Sequence, residues 1–176
     1  EVTYSYLLGY TFNKRLKGGI LLDAGLIFDW NKRTFSRRSG GEIRADVEGY
    51  KLFSYLKTVL PISANLDVEF GADLDYRKSV EYRNYETRTG NTLADNNMRN
   101  KGVNEYSFSG QLQYRWNSFA ALLGSRYTYN ELFGSNLSSR VSLLYTITPR
   151  SSLKLIFGQS FRAPSLFELY FRTPSQ

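Results

Sequence analysis

The chain has 176 residues, among them 14 Tyr, 12 Phe, 14 Gly, no Cys and no His, with a formal net charge of +7. Without cysteine it makes no disulfide or thiolate metal site, and without histidine it lacks the usual imidazole ligand and the most common general base. No run of some 18 apolar residues exists, so a transmembrane helix is excluded. A barrel strand needs only about 9–11 alternating residues, and such alternation averages to the slightly negative mean hydropathy seen here.

Residues 2–12 read as the first strand. Val2, Tyr4, Tyr6, Leu8, Tyr10 and Phe12 share one face, opposite Thr3, Ser5, Leu7, Gly9 and Thr11. A turn over residues 13–18 leads to a second strand, residues 19–30. It sets Ile20, Leu22, Ala24, Leu26, Phe28 and Trp30 against Asp23, Gly25 and Asp29. Residues 31–41 are rich in basic groups and read as a loop. Residues 42–60 form one long strand whose alternation slips near Gly49 and Tyr50, the mark of a bulge.

After a turn at residues 61–65, the stretch LDVEFGADLDYRK alternates almost without fault and places Asp67, Glu69, Asp73 and Asp75 on one face. Four carboxylates on one face do not sit in a dry core, whereas a polar barrel lumen takes them. Residues 84–104 read as a long loop rich in Asn, Thr, Arg and Gly. Residues 105–116 and 119–129 are strands joined at Asn117 and Ser118, and a loop at residues 131–136 precedes a strand over residues 137–148. Thr148, Pro149, Arg150 and Ser151 form a turn, with Pro supplying its fixed φ. The last strand, residues 152–162, directs Leu153, Leu155, Phe157 and Phe161 outward and runs into a Phe-Arg-Ala-Pro-Ser turn with no helix cap.

Short connections near residues 15, 62, 117 and 150 alternate with longer ones near 36, 94 and 133. This is the rhythm of an outer-membrane barrel with short periplasmic turns and long extracellular loops. The fold expected is all-β, an antiparallel transmembrane β-barrel built from about eight meandering strands. A soluble lipocalin-like barrel would reverse the polarity. Against it, the apolar face is densely aromatic, as a lipid-facing wall with Tyr and Trp girdles is, while the polar face carries small residues and Gln. By this rhythm the chain begins and ends at the outer surface, so it reads as an internal piece of a larger barrel and not as a small complete one.

Basic residues with interleaved aromatics raise nucleic-acid binding. Much of the charge, however, sits in expected loops, Lys32, Arg33, Arg37 and Arg38 in one and Arg88, Arg99 and Lys101 in another, so no nucleic-acid partner is expected. Asp73 and Asp75 have the two-residue spacing of any polar strand face and no nucleophile motif beside them, so no catalytic residue is assigned. Their run lacks the glycine and distal Glu of a calcium loop, so no metal site or cofactor is assigned either.

Residues 155–170, LIFGQSFRAPSLFELY, resemble the barrel of TonB-dependent outer-membrane receptors. In that family a lumen-facing strand carries a similar F-R-A-P-S signature followed by an acidic and an aromatic residue, here Glu168 and Tyr170. The stretch LLGSRYTYN, residues 122–130, resembles the family's G-x-R-Y strand. The resemblance implies that residues 1–176 are part of a 22-stranded barrel with its N-terminal plug domain lying outside these residues. It implies energised uptake of a scarce small ligand, such as a ferric siderophore, haem or cobalamin, in the outer membrane of a Gram-negative bacterium. The partners implied are the lipid bilayer, lipopolysaccharide, the chain's own plug and the TonB complex. Ligand-binding candidates are Arg37, Arg38 and Arg99 in loops and Arg126, Arg140 and Arg162 in the lumen, where they and Arg115 would face the plug or join an ion ladder between strands. The alternative function is a small complete outer-membrane barrel serving as a structural element, adhesin or passive pore.

Overall fold

The computed structural model describes residues 2–38, 42–94, 99–162, 164–166 and 168, without the side chains of residues 37, 38, 42, 43 and 92–94. Eight long strands follow one another as antiparallel neighbours. They are β1 (Val2–Arg15), β2 (Leu21–Arg38), β3 (Glu42–Ser63), β4 (Leu66–Glu86), β6 (Lys101–Trp116), β7 (Phe119–Asn130), β8 (Gly134–Thr148) and β9 (Ser151–Gly158). A short strand, β5 (Thr92–Ala94), pairs with the end of β4. β1 and β9 each pair on one side only, so the sheet is open among the described residues.

The register carries the period-two pattern across every strand. Tyr6 lies opposite Trp30, Trp30 opposite Tyr50, Leu52 opposite Tyr76, Leu74 opposite Tyr106 and Tyr106 opposite Tyr129. Leu123 then meets Val141, and Val141 meets Phe157. One face is therefore continuously apolar from β1 to β9. Aromatic contacts mark its upper border, with ring centroids 5.3 Å apart for Tyr6 and Trp30, 6.0 Å for Phe28 and Tyr50, and 5.9 Å for Tyr50 and Tyr76. Phe157 is 78% exposed on this face, and among the described residues only Ala45 and Val103 are buried hydrophobics. A single layer with no dry core is stable only where its apolar face meets a nonaqueous solvent, as in a bilayer. No helix among the described residues is long and apolar enough to cross a membrane.

The two ends of the sheet differ. At one end β3–β4, β6–β7 and β8–β9 are joined by residues 64–65, 117–118 and 149–150, and β1–β2 by residues 16–20. Gly18 and Gly19, with φ of 76° and 78°, and Asn117, at 49°, take the left-handed conformation these tight turns need. At the other end the strands outrun the aromatic border. β2 continues from Trp30 to Arg38, roughly 27 Å at a strand's rise.

That extension corrects the expected basic loop at residues 31–41, because residues 31–38 pair in register with β3. Likewise β4 runs on to Glu86, β6 starts at Lys101 and β8 at Gly134, shortening the expected loops at 84–104 and 131–136. Polar residues are no obstacle to pairing when both faces of a ribbon meet water, and hairpin pairing satisfies the backbone better than an open loop does. The expected bulge is present between Glu48 and Gly49. A Cβ on Gly49 would stand 2.8 Å from the Lys78 carbonyl oxygen, so glycine lets the partner strand approach.

Candidate functional site: the lumenal face

The face opposite the apolar wall is polar and cross-linked. Asp75 on β4, 6% exposed, accepts a bidentate pair of hydrogen bonds from Arg77 at 3.1 and 2.7 Å and an ion pair from Lys51 on β3 at 3.0 Å. Arg77 also lies 3.9 Å from Glu105 on β6, which in turn accepts a bond from Asn130 on β7 at 3.0 Å. The chain of partners thus spans four strands. Below it Arg126 on β7 reaches Asp73 on β4 at 2.8 Å and donates to the buried Ser107 hydroxyl at 2.9 Å. Lys57 pairs with Glu69 at 2.9 Å, Arg115 pairs with Asp67, and the Tyr55 hydroxyl donates to Asp23 at 3.1 Å. These charges find opposite ones on the same strand, the next strand or, for Arg126 and Asp73, the next strand but one, because alternation puts all of them on one face. Gly25 belongs to this arrangement, since a Cβ there would overlap the Tyr55 ring.

After Gly158 the chain leaves the sheet. The Gln159 amide still donates to the Ser139 carbonyl at 2.9 Å, and the following residues cross the polar face. Phe161 and Arg162 line a cavity of about 320 Å³ with Arg77, Glu105, Arg126 and Ser138. This corrects the outward placement of Phe161 and the extension of the last strand to residue 162. Pro164 has no N–H for a ladder, and a local knot of hydrogen bonds replaces strand pairing. In that knot Arg162 holds Glu168 at 3.1 and 2.7 Å. The Ser165 amide and hydroxyl both donate to Glu168, at 2.7 and 3.0 Å, while the Glu168 amide donates back to the Ser165 hydroxyl at 3.2 Å. The reciprocal pair is a capping box, so the expected absence of a helix cap is also corrected. The Arg162 hydrogen bonds, followed by those from Ser165, pull the Glu168 carboxyl down to a pKa of about 2.

Within the knot, Leu166 borders a larger cavity of about 500 Å³ on the same face near the extended end of the sheet. Phe35, Val47 and Tyr82 give it an apolar and aromatic lining, and Arg33, Asp29 and the Asp75-paired Lys51 and Arg77 bring charge of both signs to its wall. Of the expected site residues, Arg126 and Arg162 meet in the smaller cavity, and Arg140 lines an adjoining one of about 270 Å³ with Arg126 and Gln159. Arg99 lies exposed in the turn before β6, away from these cavities. The backbone of Arg37 and Arg38 ends β2, and their side chains lie outside the described residues, as does Tyr170. Arg77 and Lys51 were missed as site residues, although their positions on the polar face of alternating strands mark them. The Ser165-x-x-Glu168 spacing was a legible signal for the cap. Among the described residues no group of three or more acidic, His or Cys side chains is arranged to hold a metal.

No curated protein matches the chain. Among solved structures, a mutant of the ferric enterobactin receptor of Pseudomonas aeruginosa is similar, with a TM-score of 0.72 at 15% sequence identity. The match covers 95% of this chain but 26% of that receptor, so the chain spans about a quarter of its length. The family model described as TonB dependent receptor-like, beta-barrel, matches residues 2–176. With its apolar wall, its ion-paired inner face and that match over nearly its whole length, the chain belongs to the TonB-dependent receptor β-barrel family, whose members are outer-membrane receptors and not enzymes.

Proposed function

We propose that the chain is part of the barrel wall of a Gram-negative outer-membrane receptor that takes up a scarce small ligand, such as a ferric siderophore, haem or cobalamin, in a TonB-dependent manner. The observation that carries this reading is the lumenal cavity of about 500 Å³ behind an apolar outer wall. Its Phe35 and Tyr82 offer stacking surfaces, which suits a ligand with planar groups. Arg126, Arg140 and Arg162 lie deeper on the same face, where they would meet the ligand's path or the plug domain of the full-length protein. Arg37, Arg38 and Arg99 would meet ligand or lipopolysaccharide at the outer surface by Coulomb attraction.

The test is ligand uptake by cells carrying the full-length receptor as their only uptake route, with and without TonB. Accumulation of a siderophore, haem or cobalamin that stops when TonB is deleted supports the reading. Accumulation that continues unchanged without TonB would make the barrel a passive pore.

A further inference from the structure

Cations on the lumenal ladder are almost all partnered, but several at the short-turn end are not. Lys14, Arg15, Lys17, Arg150 and Lys154 are exposed, and none pairs with a carboxylate among the described residues. No acidic residue occupies any of the four short turns. Lys14 lies opposite Leu22 and so continues the outward face of Tyr10 and Phe12, while Lys17 and Arg150 sit at turn tips. On the same border Leu16, Ile62, Trp116 and Ile147 are exposed apolar side chains, Trp116 at 59%.

Resting on the outer-membrane reading above, the geometry points to this rim as a docking surface for anionic phospholipid headgroups of the periplasm-facing leaflet. Apolar side chains at the lower border of the wall enter the leaflet, and the cations beside them meet its phosphates. Turn length favours this occupant over a partner deeper in the periplasm. A two-residue turn such as that of Arg150 projects at most ~7 Å, within about one Debye length of the headgroups (~8 Å at physiological salt), and the connection that carries Lys17 is held short by the hydrogen bond of 2.8 Å from the Leu16 amide to the Ile20 carbonyl. A flat leaflet meets Lys14, Lys17 and Arg150 at once, although they lie on hairpins at opposite ends of the sheet.

Trp116 is a built-in reporter on this border, and Trp30 is its counterpart at the other border. The full-length receptor is placed in phosphatidylethanolamine vesicles holding either brominated phosphatidylglycerol or brominated phosphatidylethanolamine as quencher. The signal of each tryptophan is obtained by difference against Trp116→Phe or Trp30→Phe. Phosphatidylglycerol is expected to be preferred about five-fold at Trp116, the selectivity of roughly one well-placed cation, and less at Trp30. The preference should fall to about one in the triple variant Lys14→Gln, Lys17→Gln, Arg150→Gln, and in the unmodified receptor at high salt. Equal quenching by both lipids at Trp116 overturns the proposal, as does a preference that survives neutralisation. The salt titration decides the matter if the triple variant does not assemble. Should neither lipid quench Trp116, the membrane reading itself fails.

Discussion

The middle of the lumenal face and the short-turn rim carry the same kinds of side chain and treat them in opposite ways. At mid-height Lys51, Arg77 and Arg126 are locked to Asp75 and Asp73, whereas at the rim the exposed Lys14, Lys17 and Arg150 make no ion pair with a described residue. The difference follows from depth. Charges on strands deep in a barrel wall are fixed at strand spacing with restricted water around them, so each needs a partner. Charges at a turn keep their hydration and lose little by having none. A paired charge is thus a structural cross-link between strands, and an unpaired one is available to something outside the chain.

The largest effect should come from a charge on the wrong face of the same strand. Leu112→Arg on β6 points into the lipid wall near its middle and should destabilise the full-length barrel by about 2–4 kcal/mol. Gln111→Arg, one residue away on the lumenal face, should cost far less. Denaturant titration of the receptor in vesicles distinguishes them, and equal losses would mean that the two faces have been assigned wrongly.

Next comes removal of a shared partner. Asp75→Ala leaves Lys51 and Arg77 facing each other without their carboxylate. Complete burial of such a pair would make its loss worth 3–5 kcal/mol, but both cations are roughly two-fifths exposed, so about 1–3 kcal/mol is expected. Asp75→Asn should recover part of this by accepting one hydrogen bond. The same titration tests it, and a loss below about 0.5 kcal/mol would make the ladder ornamental.

Two arginines on the same face provide a finer comparison. Arg126 binds Asp73 and Ser107, while Arg140 makes no ion pair with a described residue. Arg126→Met should cost about 1 kcal/mol through the unsatisfied carboxylate it leaves, and Arg140→Met should be nearly neutral in stability. An effect of Arg140→Met on ligand uptake at unchanged stability would place Arg140 on the ligand's path. No effect on either would leave it a solvated residue of the wall.

Much of this comparison is legible in the sequence. Strict alternation from Leu66 to Arg77 fixed which residues share a face, and the slip at Gly49 revealed the bulge. Partners were not legible, because Arg126 meets Asp73 only through two strand registers that a one-residue slip would cancel. Strand ends were misread at residues 31–38 for a related reason. Composition reports solvent exposure, and a hairpin ribbon standing in water has the composition of a loop while keeping the hydrogen bonding of a sheet. The knot at residues 162–168 was hidden by the strand pattern leading into it, which continues by eye to Phe161 although pairing stops at Gly158.

That knot yields the smallest effect, and one whose sign is fixed. Arg162 and Ser165 hold the Glu168 carboxyl at about 2, below its ordinary value of 4.5. A depressed carboxylate pKa contributes stability that is fully present above the ordinary value and is lost as pH falls through the folded one. Because the group is exposed at the surface, the knot should open locally while the sheet persists. Hydrogen exchange of the Ser165 and Glu168 amides, corrected for intrinsic rates, should show protection retained at pH 3.5 and disappearing toward pH 2. In Arg162→Met the loss should move up toward pH 4.5, because the guanidinium is the first cause of the shift. Loss already centred near pH 4.5 in the unmodified protein would mean that Arg162 points elsewhere in solution and that Leu166 is not held beside the larger cavity.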